Sequence, residues 1–78
     1  MSYTETLIRT NEIIREIREQ LGEDYLISRI DGISPRPGIQ IISPIGKVVH
    51  FTPGADGNIA DEAGRIVQML RKQEERKE

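Results

Sequence analysis

Histidine is the residue type that serves as a general acid or base near neutral pH, and this chain has one, His50, with no cysteine. A catalytic histidine acts on a nucleophile or on a second acid–base group held beside it. The hydroxyl candidates are Ser28, Ser34, Ser43 and Thr52, and none lies in a Gly-x-Ser-x-Gly turn or in another setting that predicts activation. The sequence therefore predicts a protein without enzymatic activity.

Glycines and carboxylates lie together just before the last predicted helix. Residues 54–58, Gly-Ala-Asp-Gly-Asn, run into the start of that helix, which is the general arrangement of a phosphate site. Asp56, Asp61 and Glu62 would repel an anion there, and the spacing of these acids does not follow a calcium-binding loop. We therefore expect a turn and a helix cap at Asn58, with no cofactor and no metal ion bound.

The charge distribution is uneven, although the net charge of −2 provides no overall attraction for nucleic acid. Residues 25–55 carry three basic side chains against Asp31 alone, and they include His50. We expect this locally basic part, with nearby apolar residues, to contact a partner protein or a small anionic ligand. The predicted binding residues are Arg29, Arg36, Lys47, His50, Ile42, Ile45 and Val48.

Two helices are predicted from apolar residues that recur at spacings of three and four. The first runs from Tyr3 to Leu21, where Gly22 can end it. Its apolar stripe consists of Tyr3, Leu7, Thr10, Ile14, Ile17 and Leu21, widened by Ile8 and Ile13. The second follows the cap at Asn58, and its stripe consists of Ile59, Ala63, Ile66 and Leu70, broadened by Val67 and Met69.

Three strands are predicted between the helices, at Tyr25–Ile30, Gly38–Ile42 and Lys47–Phe51, because these short runs are rich in β-branched and aromatic residues. Two prolines keep the loop at residues 31–37 extended. The Ser-Pro-Ile-Gly segment at residues 43–46 has the composition of a tight turn. We therefore expect the second and third strands to be antiparallel neighbours.

This order of elements predicts a two-layer α+β fold, α-β-β-β-α, with a three-stranded antiparallel sheet and two helices on one face. A single domain spans residues 1–78, and its charged end, residues 71–78, is expected to be solvated or frayed. Alternation along the strands assigns one face to the core and leaves the other half apolar. The core face carries Ile39, Ile41, Val49 and Phe51, and the outer face carries Gln40, Ile42, Val48 and His50.

The order helix, three strands, helix is similar to that of double-stranded-RNA-binding domains and of HicA-type ribonuclease toxins. The resemblance is one of topology over most of the chain. The first family implies a lysine cluster where the last helix begins, and this sequence has Asn58, Asp61 and Glu62 there. The second implies a histidine in a Gly-Ser-His type turn that leads into a strand, and His50 lies between Val49 and Phe51.

These observations predict a small regulator, inhibitor or accessory factor, of the kind common in bacteria and phages, that binds a partner protein. A chain of 78 residues with few aromatic side chains has a small core, so a homodimer is expected. Two alternatives are a binder of a small anionic ligand such as a nucleotide, held at the basic loops between subunits, and an RNA-binding or HicA-like ribonuclease fold centred on His50. No apolar run is long enough for a bilayer, so we expect a cytoplasmic protein without membrane contact.

Overall fold

The computed structural model describes residues 2–32 and 35–75 of the chain. The predicted order of elements is confirmed. The elements are α1 (Tyr3–Leu21), β1 (Leu26–Ile30), β2 (Gly38–Ile42), β3 (Val48–Phe51) and α2 (Ile59–Glu75). They form the predicted α+β fold, in which a three-stranded antiparallel sheet packs against two helices.

The limits of α1 are fixed by two side chains at its N-terminal end and by a glycine at its C-terminal end. Ser2 Oγ accepts a hydrogen bond from the Glu5 backbone N–H at 3.1 Å, and the Glu5 carboxylate accepts from the Ser2 N–H at 3.0 Å. This reciprocal pair satisfies two donors that a helix start leaves without partners. Gly22 has a φ of +86° and donates its N–H to the Arg18 carbonyl, so the helix ends at the predicted residue.

The strands lie in the order β1-β2-β3, so β2 is the central strand. The turn at residues 43–46 joins β2 to β3 as predicted, and Gly46 donates its N–H to the Ser43 carbonyl at 2.9 Å. Gly46 has a φ of +88°, which a residue with a side chain rarely adopts. Both strand pairs are antiparallel, and Ile41 lies directly between Ile27 and Val49.

The core lies between the helices and the predicted inner face of the sheet. Ile39, Ile41 and Phe51 are buried there, and Val49 is half-buried against the same cluster. The helices contribute Thr10, Ile13, Ile14 and Ile17 from α1, and Ala63, Ile66, Val67 and Leu70 from α2. Thr10 is the one polar member in the described part of the chain, and its hydroxyl donates to the Thr6 carbonyl at 2.8 Å.

The apolar stripe of α1 is only partly covered. Ile13, expected only to widen the stripe, is fully buried, whereas Ile8 and Tyr3 are 52% and 54% exposed. Ile8 and Tyr3 lie in the first turns of the helix, and the buried positions of α1 begin only at Thr10. Spacing alone could not show which end of a stripe is covered.

The charged end of the chain is helical as far as Glu75. The helix continues to Glu75, and the Tyr25 hydroxyl donates to the Glu74 carboxylate at 2.7 Å. The charged end was expected to be solvated or frayed; residues 71–75 are helical, and Arg71, Lys72 and Glu75 among them are exposed. Residues 76–78, which the same prediction included, lie outside the described residues. Neither helix in the described ranges has the length and apolar character needed to cross a bilayer.

Candidate functional site

The outer sheet face, which points away from the helices, carries an exposed line of apolar side chains. The register places Leu26 of β1, Ile42 of β2 and Val48 of β3 side by side. We call these three residues the apolar row. Leu26 is 65% exposed and Val48 is 50% exposed, while Ile42 between them is half-buried by its two neighbours. Sequence reasoning identified Ile42 and Val48 but missed Leu26, because the position of β1 in the sheet was unknown.

Ile45 lies at the tip of the turn between β2 and β3. Its side chain is 88% exposed, the largest exposure among the large apolar residues described. Ile45 and Lys47 line a cleft of about 340 Å³ between this turn and the end of α2, which includes Tyr25 and Glu74. Two predicted binding residues, one apolar and one basic, therefore line one cleft beside the end of α2, on the helix side of the sheet.

The next line across the outer face is polar. It consists of Ser28, Gln40 and His50, which are also cross-strand neighbours. His50 Nε2 lies 3.0 Å from Gln40 Oε1. A neutral amide can orient an imidazole by this hydrogen bond, but it does not accept or release a proton at neutral pH, so the pair is not an acid–base relay.

Arg36 and His50 line one small cleft at the far end of β3. The cleft has a volume of about 170 Å³ and is also lined by Ile30, Phe51 and Thr52. The Arg36 guanidinium donates to the Pro53 carbonyl beside it. Pockets for drug-sized ligands are typically about 300–1,000 Å³, so one chain alone does not enclose a nucleotide here.

Arg29 does not belong to the same surface as the other predicted basic residues. It shares the inner side of the sheet with Ile27 and Ile39, at the edge next to α1. Its Nε lies 2.9 Å from a carboxylate oxygen of Asp31, and Nη1 donates to Asn11 Oδ1 at 3.0 Å. These contacts tie β1 to α1. The expected basic cluster is thus divided among three places: the inner edge, the cleft and the turn.

Arg9, to which the sequence analysis assigned no role, organises the loop before α2. Its guanidinium donates to the carbonyls of Gly54, Asp56 and Gly57 at 3.1, 2.8 and 2.9 Å. Arg9 lies outside the predicted apolar stripe of α1, and helical spacing gives no sign of a contact with residues 54–57. The three bonds hold the loop that leads from the sheet into α2.

Glu62 holds the same loop from the other side. Its carboxylate accepts the Gly54 N–H at 2.7 Å and pairs with Arg65. The hydrogen bond from Arg65 is the main reason that the pKa of Glu62 is lowered, and the bond from Gly54 adds to it. Asn58 Oδ1 accepts the N–H groups of Ala60 and Asp61, as expected of a helix cap. These contacts make the segment from Gly54 to Glu62 a structural turn and helix cap in which the Glu62 carboxylate takes part.

The fold and these contacts define a small α+β domain with one uncovered sheet face. Comparison with protein-family models, with curated proteins and with solved structures gives no match to this chain.

Proposed function

We propose that this protein is a small, non-enzymatic, homodimeric interaction protein that acts as a regulator, inhibitor or accessory factor by binding a partner protein. The observation that carries the proposal is the apolar row, Leu26, Ile42 and Val48, on a sheet face that no described residue covers. The partner would lie on this outer sheet face, with Ile45 and Lys47 at one margin.

The arrangement has the anatomy of a protein-binding surface. Interfaces typically have an apolar centre and a polar rim, and the centre supplies most of the binding free energy. Here the polar residues Gln40 and His50 flank the apolar row on one side. The strands between these residues are rigid, so little conformational entropy is lost when a partner binds.

A second candidate is the binding of a small anionic ligand, which is supported by the cleft that Arg36 and His50 share. A nucleotide would need walls from a second subunit, because the cleft in one chain holds only about 170 Å³. This candidate predicts that nucleotides raise the melting temperature of the dimer and that Arg36→Ala removes the effect. Equal melting temperatures with and without nucleotides would exclude it.

The main proposal is tested by capture from a lysate of the source cells with three immobilised forms of the chain. The test variant, Leu26→Ser with Val48→Ser, removes the exposed ends of the apolar row. The control, Tyr3→Ser with Ile8→Ser, removes two apolar side chains of α1 that are similarly exposed. We expect a protein that the parent and the control retain and the test variant loses.

Circular dichroism and the melting temperature of each variant show that the fold is retained before capture. The proposal is wrong for this surface if the row variant retains the same proteins as the parent. It is also wrong if the α1 variant loses them to the same extent, because the effect would then not depend on the outer sheet face.

A further inference from the structure

The backbone of β3 directs hydrogen-bonding groups outward along the edge of the sheet. Ser43 donates its N–H to the Lys47 carbonyl at 2.9 Å, which sets the alternation of hydrogen bonds between β2 and β3. From this pair onward, every second residue of β3 bonds to β2, so Val49 faces β2 and its two neighbours face away. The N–H and C=O groups of Val48 and His50 therefore point outward from the sheet.

The opposite edge of the sheet is blocked. By the same alternation, Ile27 and Arg29 of β1 direct their backbone groups away from β2. The Ile27 carbonyl already accepts a hydrogen bond from the Arg18 guanidinium at 2.9 Å. The Arg29 side chain is held beside it by Asp31 and Asn11. Charged side chains of this kind are how proteins protect an edge strand from pairing.

Within Val48–Phe51, by contrast, there is no proline and no carboxylate. In the described part of the chain, no backbone group or side chain bonds to the outward groups of Val48 and His50. A sheet with one open edge and one blocked edge can pair once, which gives a closed dimer and not a growing fibre.

We infer that two copies of this chain pair through their β3 edges, antiparallel, about a two-fold axis at Val49. In this register Val48 of each copy exchanges two hydrogen bonds with His50 of the partner subunit, so all four outward residues are used. The edge is self-complementary, because a two-fold axis at Val49 places Val48 of each copy opposite His50 of the partner subunit. The inference rests on the homodimer of the proposed function and specifies where the two copies meet.

The side chains at this edge are compatible with the pairing. The two Val49 residues meet on the helix side of the sheet, where each is half-buried beside the core. The two Lys47 residues lie at opposite ends of the pair, roughly 14 Å apart along the strands. That separation exceeds the screening length of about 8 Å at physiological salt, so like charges do not oppose the contact.

Pairing joins two three-stranded sheets into one continuous sheet. The outer faces of both copies then form a single surface, on which the apolar row of one copy continues into the polar line of the other. A four-residue edge buries less than the roughly 800 Å² per partner of a standard interface. We therefore expect a dimer that exchanges and that forms at high protein concentration.

A single introduced cysteine tests the register directly, because the natural chain has none. Residues that face each other without mutual hydrogen bonds in an antiparallel pair have Cα atoms about 4.5 Å apart, within the range of a disulfide. The test variant is Val49→Cys. The control is Ser28→Cys, an exposed position on the blocked edge strand β1. We expect Val49→Cys to oxidise to a covalent dimer about tenfold faster than Ser28→Cys.

Amide hydrogen exchange of the unmodified chain provides a second readout. The Val48 and His50 amides have no partner in the described part of the chain, so exchange should be fast in a monomer and should slow as protein concentration increases. Equal cross-linking rates for the two cysteine variants, or exchange at Val48 and His50 that is independent of concentration, would overturn the inference. If the row variant loses its captured partner while Val49→Cys still cross-links faster than Ser28→Cys, the β3 dimer stands and the partner site is affected alone. If the two cysteine variants cross-link equally while the row variant still loses the partner, the β3 dimer is wrong and the partner site stands.

Discussion

The negative charge of Glu62 stabilises the loop before α2. Its side chain is 11% exposed, accepts the Gly54 N–H and pairs with Arg65, and these bonds lower its pKa. A carboxylate with a lowered pKa stabilises the folded state above the pKa of the unfolded chain, and this contribution disappears as pH falls through the folded pKa. The residue therefore links the stability of the loop before α2 to pH.

We expect Glu62→Gln to lower the free energy of unfolding at neutral pH by about 1 kcal/mol, because an amide accepts weaker hydrogen bonds than a carboxylate. The difference from the parent should shrink as pH falls below 4.5, the ordinary pKa of the group, and vanish once the parent is protonated. Urea unfolding at several pH values measures both quantities.

The matched control is Glu12→Gln, at an exposed position of α1. It removes the same charge, and we expect the free energy of unfolding to change by less than about 0.5 kcal/mol, as for most surface substitutions. An effect of Glu62→Gln that equals that of Glu12→Gln, or that is the same at every pH, would contradict the role assigned to Glu62.

The roles of single charged residues were the least predictable part of this molecule. Arg9 and Arg29 both lie on patterns typical of solvated or basic surface, yet Arg9 holds three loop carbonyls and Arg29 holds an edge strand. Their partners are 45 to 48 residues away for Arg9 and 18 away, at Asn11, for Arg29. Periodicity reports which face a residue occupies, and it contains no information about such distant partners.

At the scale of elements, local signals were sufficient. The limits of α1 and β2 agree with prediction, and β1, β3 and α2 agree to within one residue at each end where a prediction was made. The turn at Ser43–Gly46 was predictable because proline and glycine fix its backbone. The position of β1 in the sheet was not predictable, because a loop of seven residues allows β1 to pair with either β2 or β3. Leu26 belongs to the apolar row only because β1 pairs with β2.

The end of α2 makes a contact with a distant segment that composition does not reveal. The bond from the Tyr25 hydroxyl to Glu74 joins the segment before β1 to the last described turn of the helix. Because the tyrosinate would face a carboxylate, this bond is the main cause that raises the pKa of Tyr25, and desolvation adds to it.

We expect the phenol of Tyr25 to titrate above its ordinary value of 10.0, and Glu74→Gln to lower the midpoint. The measurement is the absorbance of tyrosinate with increasing pH, in a Tyr3→Phe background so that Tyr25 is the one remaining tyrosine. The control is Glu75→Gln, next to Glu74 but exposed. A midpoint that Glu74→Gln leaves unchanged, or that Glu75→Gln lowers equally, would show that the contact is absent in solution.

The whole molecule combines a covered inner face, an uncovered outer face, one blocked sheet edge and one open edge. Sequence alternation predicted the two faces, because Ile39, Ile41 and Phe51 are all on one side. It did not distinguish the two edges, since their difference depends on the Arg18 contact and on the order of the strands. This asymmetry is what supports a closed pair of chains with a shared outer surface.

The most direct test of this account is the mass of the unmodified chain by sedimentation equilibrium, at neutral pH, from dilute solution to the concentrations used for NMR spectroscopy. The account predicts that the mean mass increases from that of one chain, 8.9 kDa, to that of two chains, and does not increase further. The mass of one chain at every concentration would contradict the homodimer. A mass that continues to grow beyond two chains would contradict the closed pairing through β3.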